Sequence, residues 1–441
     1  MHKLIINKLG PIDHCELECT QFMTLTGFQA SGKSTIAKVI FFFRTIKEDI
    51  IELARQQALG GTNDLSDNNA RRGTLRRSLE NYLRDKFLRT FGSSWGMDNT
   101  MYLEYYFTDI CSIKISLKED IKYGTPNYIW ITLSDELRDF LNSTNNCLSV
   151  TPLGIPEEQL KAFQERIYTV FDDPYAVVYI PAGRSMMTLL SQQLNYIYAT
   201  MDDYQKRSLD SCTKDYLERI LRIKPEFSDG LQGLVAYSSG VRKVSSKIVN
   251  QALVLIKKIL RGSYIYNHGE EQIVLDNGKF VKINFSSSGQ QESVWILNLL
   301  FYYMLKQSPI LFIIEEPESH LFPESQKYIT ELIALVNNCG HSVVLTTHSP
   351  YVLGTLNNLL YANTMPERCH EDAGKIIPKS LWLNCDHFHA WFVRNGSAEN
   401  CMDEDINLIQ NEKIDEISQT INADFDLLFE IQSMDEEGTV I

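Results

Sequence analysis

The chain has 441 residues, 44% of them hydrophobic and 22% charged, with a formal net charge of −14. That length suits two or three lobes sharing a large core, and the acidic balance argues against a protein that coats nucleic acid while leaving room for a local basic surface. Nine scattered cysteines, an odd number, point to reduced thiols in a cytoplasm rather than a disulfide framework.

The N-terminus, MHKLIINKLGPIDH, reads as a strand and a turn, not as the charged-then-apolar pattern of a signal peptide. Next comes TLTGFQASGKST, residues 24–35, in which Gly27-x-x-x-x-Gly32-Lys33-Ser34 matches the phosphate-binding loop at every fixed position. The alternation of Phe22 to Thr26 predicts a strand before it, and Lys33 to Arg44 a helix after it. Such a loop turns its backbone N–H groups around a phosphate at a helix N-terminus. Gly27, Phe28, Gln29, Ala30, Ser31, Gly32, Lys33, Ser34 and Thr35 are therefore expected to bind ATP. Lys33 would reach the β- and γ-phosphates, and the Ser34 hydroxyl would ligate Mg²⁺.

Residues 45–95 read as helical, with a break near Gly60-Gly61-Thr62-Asn63. Within them Arg71, Arg72, Arg76, Arg77, Arg84, Lys86 and Arg89 form a basic run with few acids. Arg72, Arg76 and Arg77 fall on one helical face and are candidates to meet nucleic acid or an acidic viral protein; a solvated helix face is the alternative. Residues 101–107, 113–117 and 128–133 predict a small antiparallel subdomain, and Asp135–Leu141 and Pro156–Phe171 return to helix. AVVYIPAGRS, residues 176–185, predicts a core strand ending near Arg184. Residues 186–261 read as a helical lobe, and Asp276-Asn277-Gly278 marks a hairpin turn.

The hairpin leads into FSSSGQQES, residues 285–293, a polar patch directly before the apolar run Val294–Leu305. By itself the patch reads as a helix start with Ser287 or Ser288 as N-cap. The apolar run falls well short of the roughly 18 residues of a membrane span, so no membrane is expected among the partners. PILFIIEEPESHLFPESQ, residues 309–326, contains five consecutive apolar residues that suit a strand buried on both faces of a parallel sheet. At its carboxyl end, where open α/β sheets bind ligands, stand Glu315, a candidate Mg²⁺ ligand, and Glu316, a candidate for polarising the attacking water. A solvated turn is the alternative. HSVVLTTHSPYVL, residues 341–353, predicts another buried strand ending at His348, which lies beside the γ-phosphate if its strand neighbours Ile310–Ile314; a hydrogen-bonded structural histidine is the alternative. Alternation would put Cys385, His387 and His389 on one strand face, where they read as ordinary strand residues with no fourth metal ligand in sight.

Together these segments resemble the ABC-type ATPases, in the branch that holds SMC-like proteins and the ATPase parts of overcoming-lysogenisation-defect nucleases. The branch often carries E-E-P-E-x-H-L-x-P, and this chain has Glu315-Glu316-Pro317-Glu318-Ser319-His320-Leu321-Phe322-Pro323. The family usually has Asp where Glu315 stands. A Leu-Ser-Gly-Gly-Gln signature opens a helix before the second strand in these families, and Ser286-Ser287-Ser288-Gly289-Gln290 is similar to it at Ser287, Gly289 and Gln290. The resemblance implies that Ser287, Ser288, Gly289 and Gln290 serve the nucleotide of a second subunit, so that the protein works as a homodimer or larger assembly. The Y-I-P-A-x-R of residues 179–184 is similar to a segment near the nucleotide in this branch, which implies that Arg184 contacts nucleotide or the partner; an Arg paired to a surface acid is the alternative.

The implied fold is α/β, a P-loop ABC-type ATPase with a mixed central sheet, an antiparallel β subdomain and an inserted helical lobe. Its expected divisions are 1–45 with the phosphate loop, 46–175 as an inserted helical and antiparallel β region, 176–261 as a core strand and helical lobe, and 262–441 with the signature and the second strand. Asp403-Glu404-Asp405 lacks the upstream Glu-Gly on an apolar strand that a Toprim nuclease needs, so no nuclease is expected in the chain. The resemblance extends to the ATPase subunits of anti-phage systems such as PARIS and Septu, which implies Mg²⁺-dependent ATP hydrolysis controlling a separate Toprim or HNH nuclease. A DNA-repair or DNA-loading ATPase of RecF or SMC-like type is the alternative.

Overall fold

The structure is a computed structural model that describes residues 2–60, 74–120, 125–144, 147–151, 154–188, 210–238, 244–306, 308–403, 405–410 and 422–428. From the N-terminus come β1 (His2–Leu9), β2 (Ile12–Cys19) and β3 (Phe22–Gly27), then α1 (Lys33–Arg44), α2 (Ile46–Gly60) and α3 (Leu75–Phe91). β4 (Tyr102–Tyr106), β5 (Ser112–Asp120) and β6 (Thr125–Leu133) precede α4 (Asp135–Ser143), α5 (Glu157–Phe171) and β7 (Ala176–Ile180). Three helices follow, α6 (Ser211–Ile223), α7 (Gly230–Ser238) and α8 (Ser246–Leu260), and three short strands, β8 (Ser263–Asn267), β9 (Glu270–Val274) and β10 (Phe280–Lys282). The last stretch holds α9 (Ser288–Met304), β11 (Ile310–Glu315), α10 (Pro323–Asn338), β12 (Ser342–Thr346), α11 (Pro350–Thr364), β13 (Phe388–Arg394) and β14 (Ser397–Asn400).

Among the described residues the central sheet runs β14-β13-β3-β12-β11-β7. β13, β3, β12, β11 and β7 are mutually parallel, and β14 closes one edge as the antiparallel arm of a hairpin. The apolar run of β11 is explained by its place: Ile310, Phe312 and Ile314 enter one hydrophobic core while Leu311 and Ile313 enter another on the opposite face. A strand covered on both sides has no polar face, so its sequence loses the alternation of a half-exposed strand. The first core is completed by α6, α8, α10 and above all α9, where every residue from Gln291 to Met304 is buried. A helix apolar all round is one enclosed by its neighbours.

The second core lies under an antiparallel sheet of order β2-β1-β4-β5-β6. The predicted strands near 101–133 are present, but they do not stand alone: β1 pairs with β4, with Leu4 opposite Tyr105. The N-terminal hairpin thus joins this sheet and packs against α1, the helix that follows the phosphate loop. The turn at Asp276-Asn277-Gly278 is present, closed by the Leu275 N–H to the Lys279 carbonyl at 2.8 Å. The expected break at residues 61–63 and parts of the helical lobe (189–209 and 239–243) lie outside the described residues, as does Glu404.

Candidate functional site

Register brings the predicted site together. Glu315 at the end of β11 stands opposite Thr346 of β12, and Thr346 stands opposite Leu25 of β3, two residues before Gly27. The phosphate loop, the two glutamates and His348 therefore emerge from three adjacent parallel strands at their carboxyl ends, the position where such sheets bind ligands. Gly27 has φ 136°, and a Cβ there would lie 2.2 Å from the Val393 carbonyl oxygen of β13. Only glycine fits between that backbone and the loop.

Lys33 is 4% exposed. Its ammonium donates to the carbonyls of Gly27 at 2.9 Å and Phe28 at 2.7 Å, so the loop curls around the cation. Burial lowers its pKa to about 8, against the opposing charges of Glu316 and Glu318. Ser34 and Gln29 are exposed, and Phe28 is exposed with one edge against Phe392.

Glu315 is buried; one carboxylate oxygen accepts the Ala182 N–H at 3.1 Å, while the other is enclosed without a hydrogen-bond partner. A buried orphan carboxylate oxygen at the mouth of a phosphate loop fits a hard cation, which takes oxygen ligands. Glu316 follows with φ 42°, the left-handed region that non-glycine residues avoid unless held there. It is held: its N–H donates to the Thr346 carbonyl at 3.0 Å, and its carboxylate lies 3.0 Å from His348 Nε2 and 3.3 Å from the Ser319 hydroxyl. The hydrogen bond from His348, opposed by partial burial, holds the Glu316 carboxyl below its ordinary pKa. His348 Nδ1 lies 3.1 Å from the Gly27 carbonyl and 3.3 Å from Lys33 Nζ. The two Nδ1 contacts ask for opposite roles: a protonated Nδ1 donates to the Gly27 carbonyl, whereas a bare Nδ1 accepts from Lys33.

One functional residue was not assigned a role from sequence. Glu318 is half-buried, and its carboxylate accepts the Thr347 hydroxyl at 2.7 Å and the His348 N–H at 2.8 Å. It fixes the backbone that carries the histidine, and burial raises its pKa. The signal was present in the third acid of E-E-P-E, whose spacing returns it to the same strand end.

The serine patch is a helix start in this chain. Ser287 caps α9 with a capping box: its hydroxyl accepts from the Gln290 N–H, and the Gln290 side chain accepts from the Ser287 N–H at 3.1 Å. Gln290 also donates to the Leu260 carbonyl at 2.7 Å. Gly289 passes so close to the loop after Glu316 that a Cβ would sit 2.7 Å from the His320 carbonyl. Ser287 and Ser288 face solvent beside Phe285, which is 81% exposed. Among the described residues no hydrogen bond joins this patch to the phosphate loop of its own chain.

The structure also places three further groups singled out from the sequence. Arg184 is fully buried; its guanidinium donates to the carbonyls of Pro181, Glu292, Glu315 and Glu316, so it faces backbone rather than a nucleotide or a partner. Two members of the basic run are taken up by the fold, Lys86 buried against Asp49 and Arg84 donating to the Ile129 carbonyl, while Arg76 makes a surface pair with Glu80 at 2.9 Å. Arg77 is exposed, while Arg71 and Arg72 lie outside the described residues. Cys385 and His387 belong to a 3₁₀ turn before β13, so the alternation that would align them with His389 does not extend to them.

Residues 136–353, just under half of the chain, match the family model of the AAA ATPase domain. The match takes in Arg184, the serine patch, Glu315, Glu316 and His348, and begins after the phosphate loop. No curated protein matches the chain. Among solved structures it is similar to an SMC head bound to the C-terminal winged-helix domain of ScpA (11% identity, TM-score 0.41, covering 90% of this chain and 95% of that one). It is also similar to the SMC head domain from Thermotoga maritima (12%, TM-score 0.36, covering 90% and 97%). A third likeness is to an SMC head with an extended coiled coil, bound to the C-terminal domain of ScpA derived from Pyrococcus furiosus (11%, TM-score 0.40, covering 96% and 100%). With its AAA ATPase domain match and a phosphate loop set beside two strand-end glutamates, the chain is an ATP-hydrolysing enzyme.

Proposed function

We propose that this ATPase is completed by a second copy of itself, and that its ATP-driven closure controls a separate effector protein, a Toprim or HNH nuclease, in anti-phage defence. The observation that carries the shared site is the serine patch. Ser287 caps and Ser288 opens an exposed helix N-terminus, a natural anion site, yet among the described residues neither makes a hydrogen bond to the loop that would hold phosphate in the same chain. In this reading Lys33 and the 27–35 loop bind the polyphosphate, and Ser34 and Glu315 would hold Mg²⁺, which would neutralise charge on the phosphates. Glu316 orients the attacking water and accepts its proton, and His348 holds Glu316 in place. Ser287, Gly289 and Gln290 of the other copy close over the γ-phosphate.

The effector role is supported by the resemblance of the chain to the ATPase subunits of anti-phage systems such as PARIS and Septu, which work with a separate nuclease. Specific activity that rises with protein concentration tests the shared site, because association and catalysis are then linked. A nuclease that co-purifies with the ATP-bound Glu316→Gln variant and is released on ATP removal supports effector control. Hydrolysis strongly stimulated by DNA, with no such protein, would favour a DNA-repair or DNA-loading role instead.

A further inference from the structure

We propose that Arg184 and Glu292 are positioning residues that tie the first turns of α9 to the backbone of Glu315 and Glu316, so that seating of the serine patch sets the geometry of the water-orienting carboxylate. The proposal rests on the shared-site reading above.

Glu292 lies on α9 four residues after Ser288 and is 2% exposed. Its two carboxylate oxygens accept the N–H groups of Arg184 at 3.0 Å and Ser185 at 2.9 Å. Residues 184–188 are helical, so these are first-turn amides, and a carboxylate there is favoured by the helix dipole. Arg184 returns the grip. Its Nε–H donates to the Glu292 carbonyl at 3.2 Å, Nη1 to the Glu315 carbonyl at 2.6 Å, and Nη2 to the Glu316 carbonyl at 2.9 Å.

The guanidinium is a rigid plane with donors in a fixed fork, so it cannot serve α9 and the Glu315–Glu316 backbone unless the two keep one spacing. A displacement of α9 along its axis must either break these bonds or carry the Glu316 carbonyl with it. Glu316 is sensitive to such a pull because its φ of 42° is sustained only by its neighbours. A second contact runs in parallel, where Gly289 packs against the His320 carbonyl on the same loop. A buried arginine and glutamate serving only to fill space would be replaceable by apolar residues of similar volume; four backbone acceptors spread over three segments, at Pro181, Glu292 and Glu315–Glu316, are what a geometric coupling requires.

The test uses the full chain carrying Arg184→Lys or Glu292→Asp. Lysine keeps the charge and loses the fork; aspartate keeps the carboxylate and shortens its reach by one methylene. Three quantities are measured: the affinity of each dilute variant for a fluorescent ATP analogue, kcat and KM at saturating protein, and dimer formation on ATP in a Glu316→Gln background. We expect analogue affinity and KM within about threefold of the unmodified chain and kcat lowered about tenfold or more, the pattern of an interaction realised only in the transition state. The dimer should still form. Unchanged kcat in both variants overturns the coupling. A parallel loss of analogue binding and kcat in both also overturns it, since that is the mark of a general structural role. If Arg184→Lys does not fold, Glu292→Asp decides alone. Concentration-dependent hydrolysis by the unmodified chain tests the shared site separately, so the coupling can fail while that reading stands.

Discussion

The Glu316 carboxylate and the His348 imidazole meet at 3.0 Å across two adjacent parallel strands. The contact keeps the carboxyl ionised and aims it, and the same ring lies against Lys33 on its other side. A single side chain thus touches both the lysine of the glycine loop and the strand-end glutamate.

Replacing Glu316 by Gln should leave ATP binding intact and slow hydrolysis by about 10²–10⁴-fold, the usual worth of a positioned acid or base. Single-turnover measurements with prebound ATP separate the two effects. Equal loss of binding and hydrolysis would remove Glu316 from the water-handling role.

His348→Ala removes the hydrogen bond that lowers the Glu316 pKa. A depressed carboxyl stays ionised down to its folded pKa and is lost below it; without the histidine that limit moves upward. The acid limb of the kcat profile should therefore shift to higher pH in His348→Ala, with KM for ATP changing less than kcat. A profile that keeps its acid limb would assign the histidine to another task.

Lys33 titrates near pH 8 in the free protein because it is buried. Bound polyphosphate favours the ammonium, so ATP affinity should be full below about pH 8 and fall as pH rises through it, with proton uptake on binding above that value. Calorimetry in buffers of different ionisation enthalpy reads the uptake directly. Lys33→Ala should lose about 1.5–3 kcal/mol, roughly ten- to a hundredfold in affinity, and abolish the pH dependence.

Ser287→Arg should spare ATP binding by the isolated subunit and abolish hydrolysis, and mixing it with Lys33→Ala should restore up to one working site per mixed dimer. Gly289→Ala should lower hydrolysis without rescue by Lys33→Ala, because its Cβ would meet the His320 carbonyl at 2.7 Å on the loop that follows its own chain's Glu316. No rescue on mixing Ser287→Arg with Lys33→Ala would leave the patch as the cap of α9 and nothing more.

What the sequence determined was the chemistry whose parts are neighbours in the chain. The Gly27–Thr35 loop, the five-residue apolar strand ending in two glutamates, and the strand ending at His348 are each legible because spacing along one turn or one strand end sets where the groups point. The start of α9 was legible for the same reason, since a capping box is a local exchange of hydrogen bonds. Tertiary structure decided everything that depends on pairing across distance. Arg184 reads locally as a free cation after a strand, but its partner Glu292 lies 108 residues away and its acceptors Glu315 and Glu316 more than 130. Arg84 and Lys86 of α3 read as surface cations until the Ile129 carbonyl and Asp49 are brought against them. The N-terminal hairpin reads as part of the phosphate-loop lobe until β4 pairs with it. Charge and hydrogen-bonding capacity are written in each residue, but which partner satisfies them is settled only when the chain has closed its long loops around two cores.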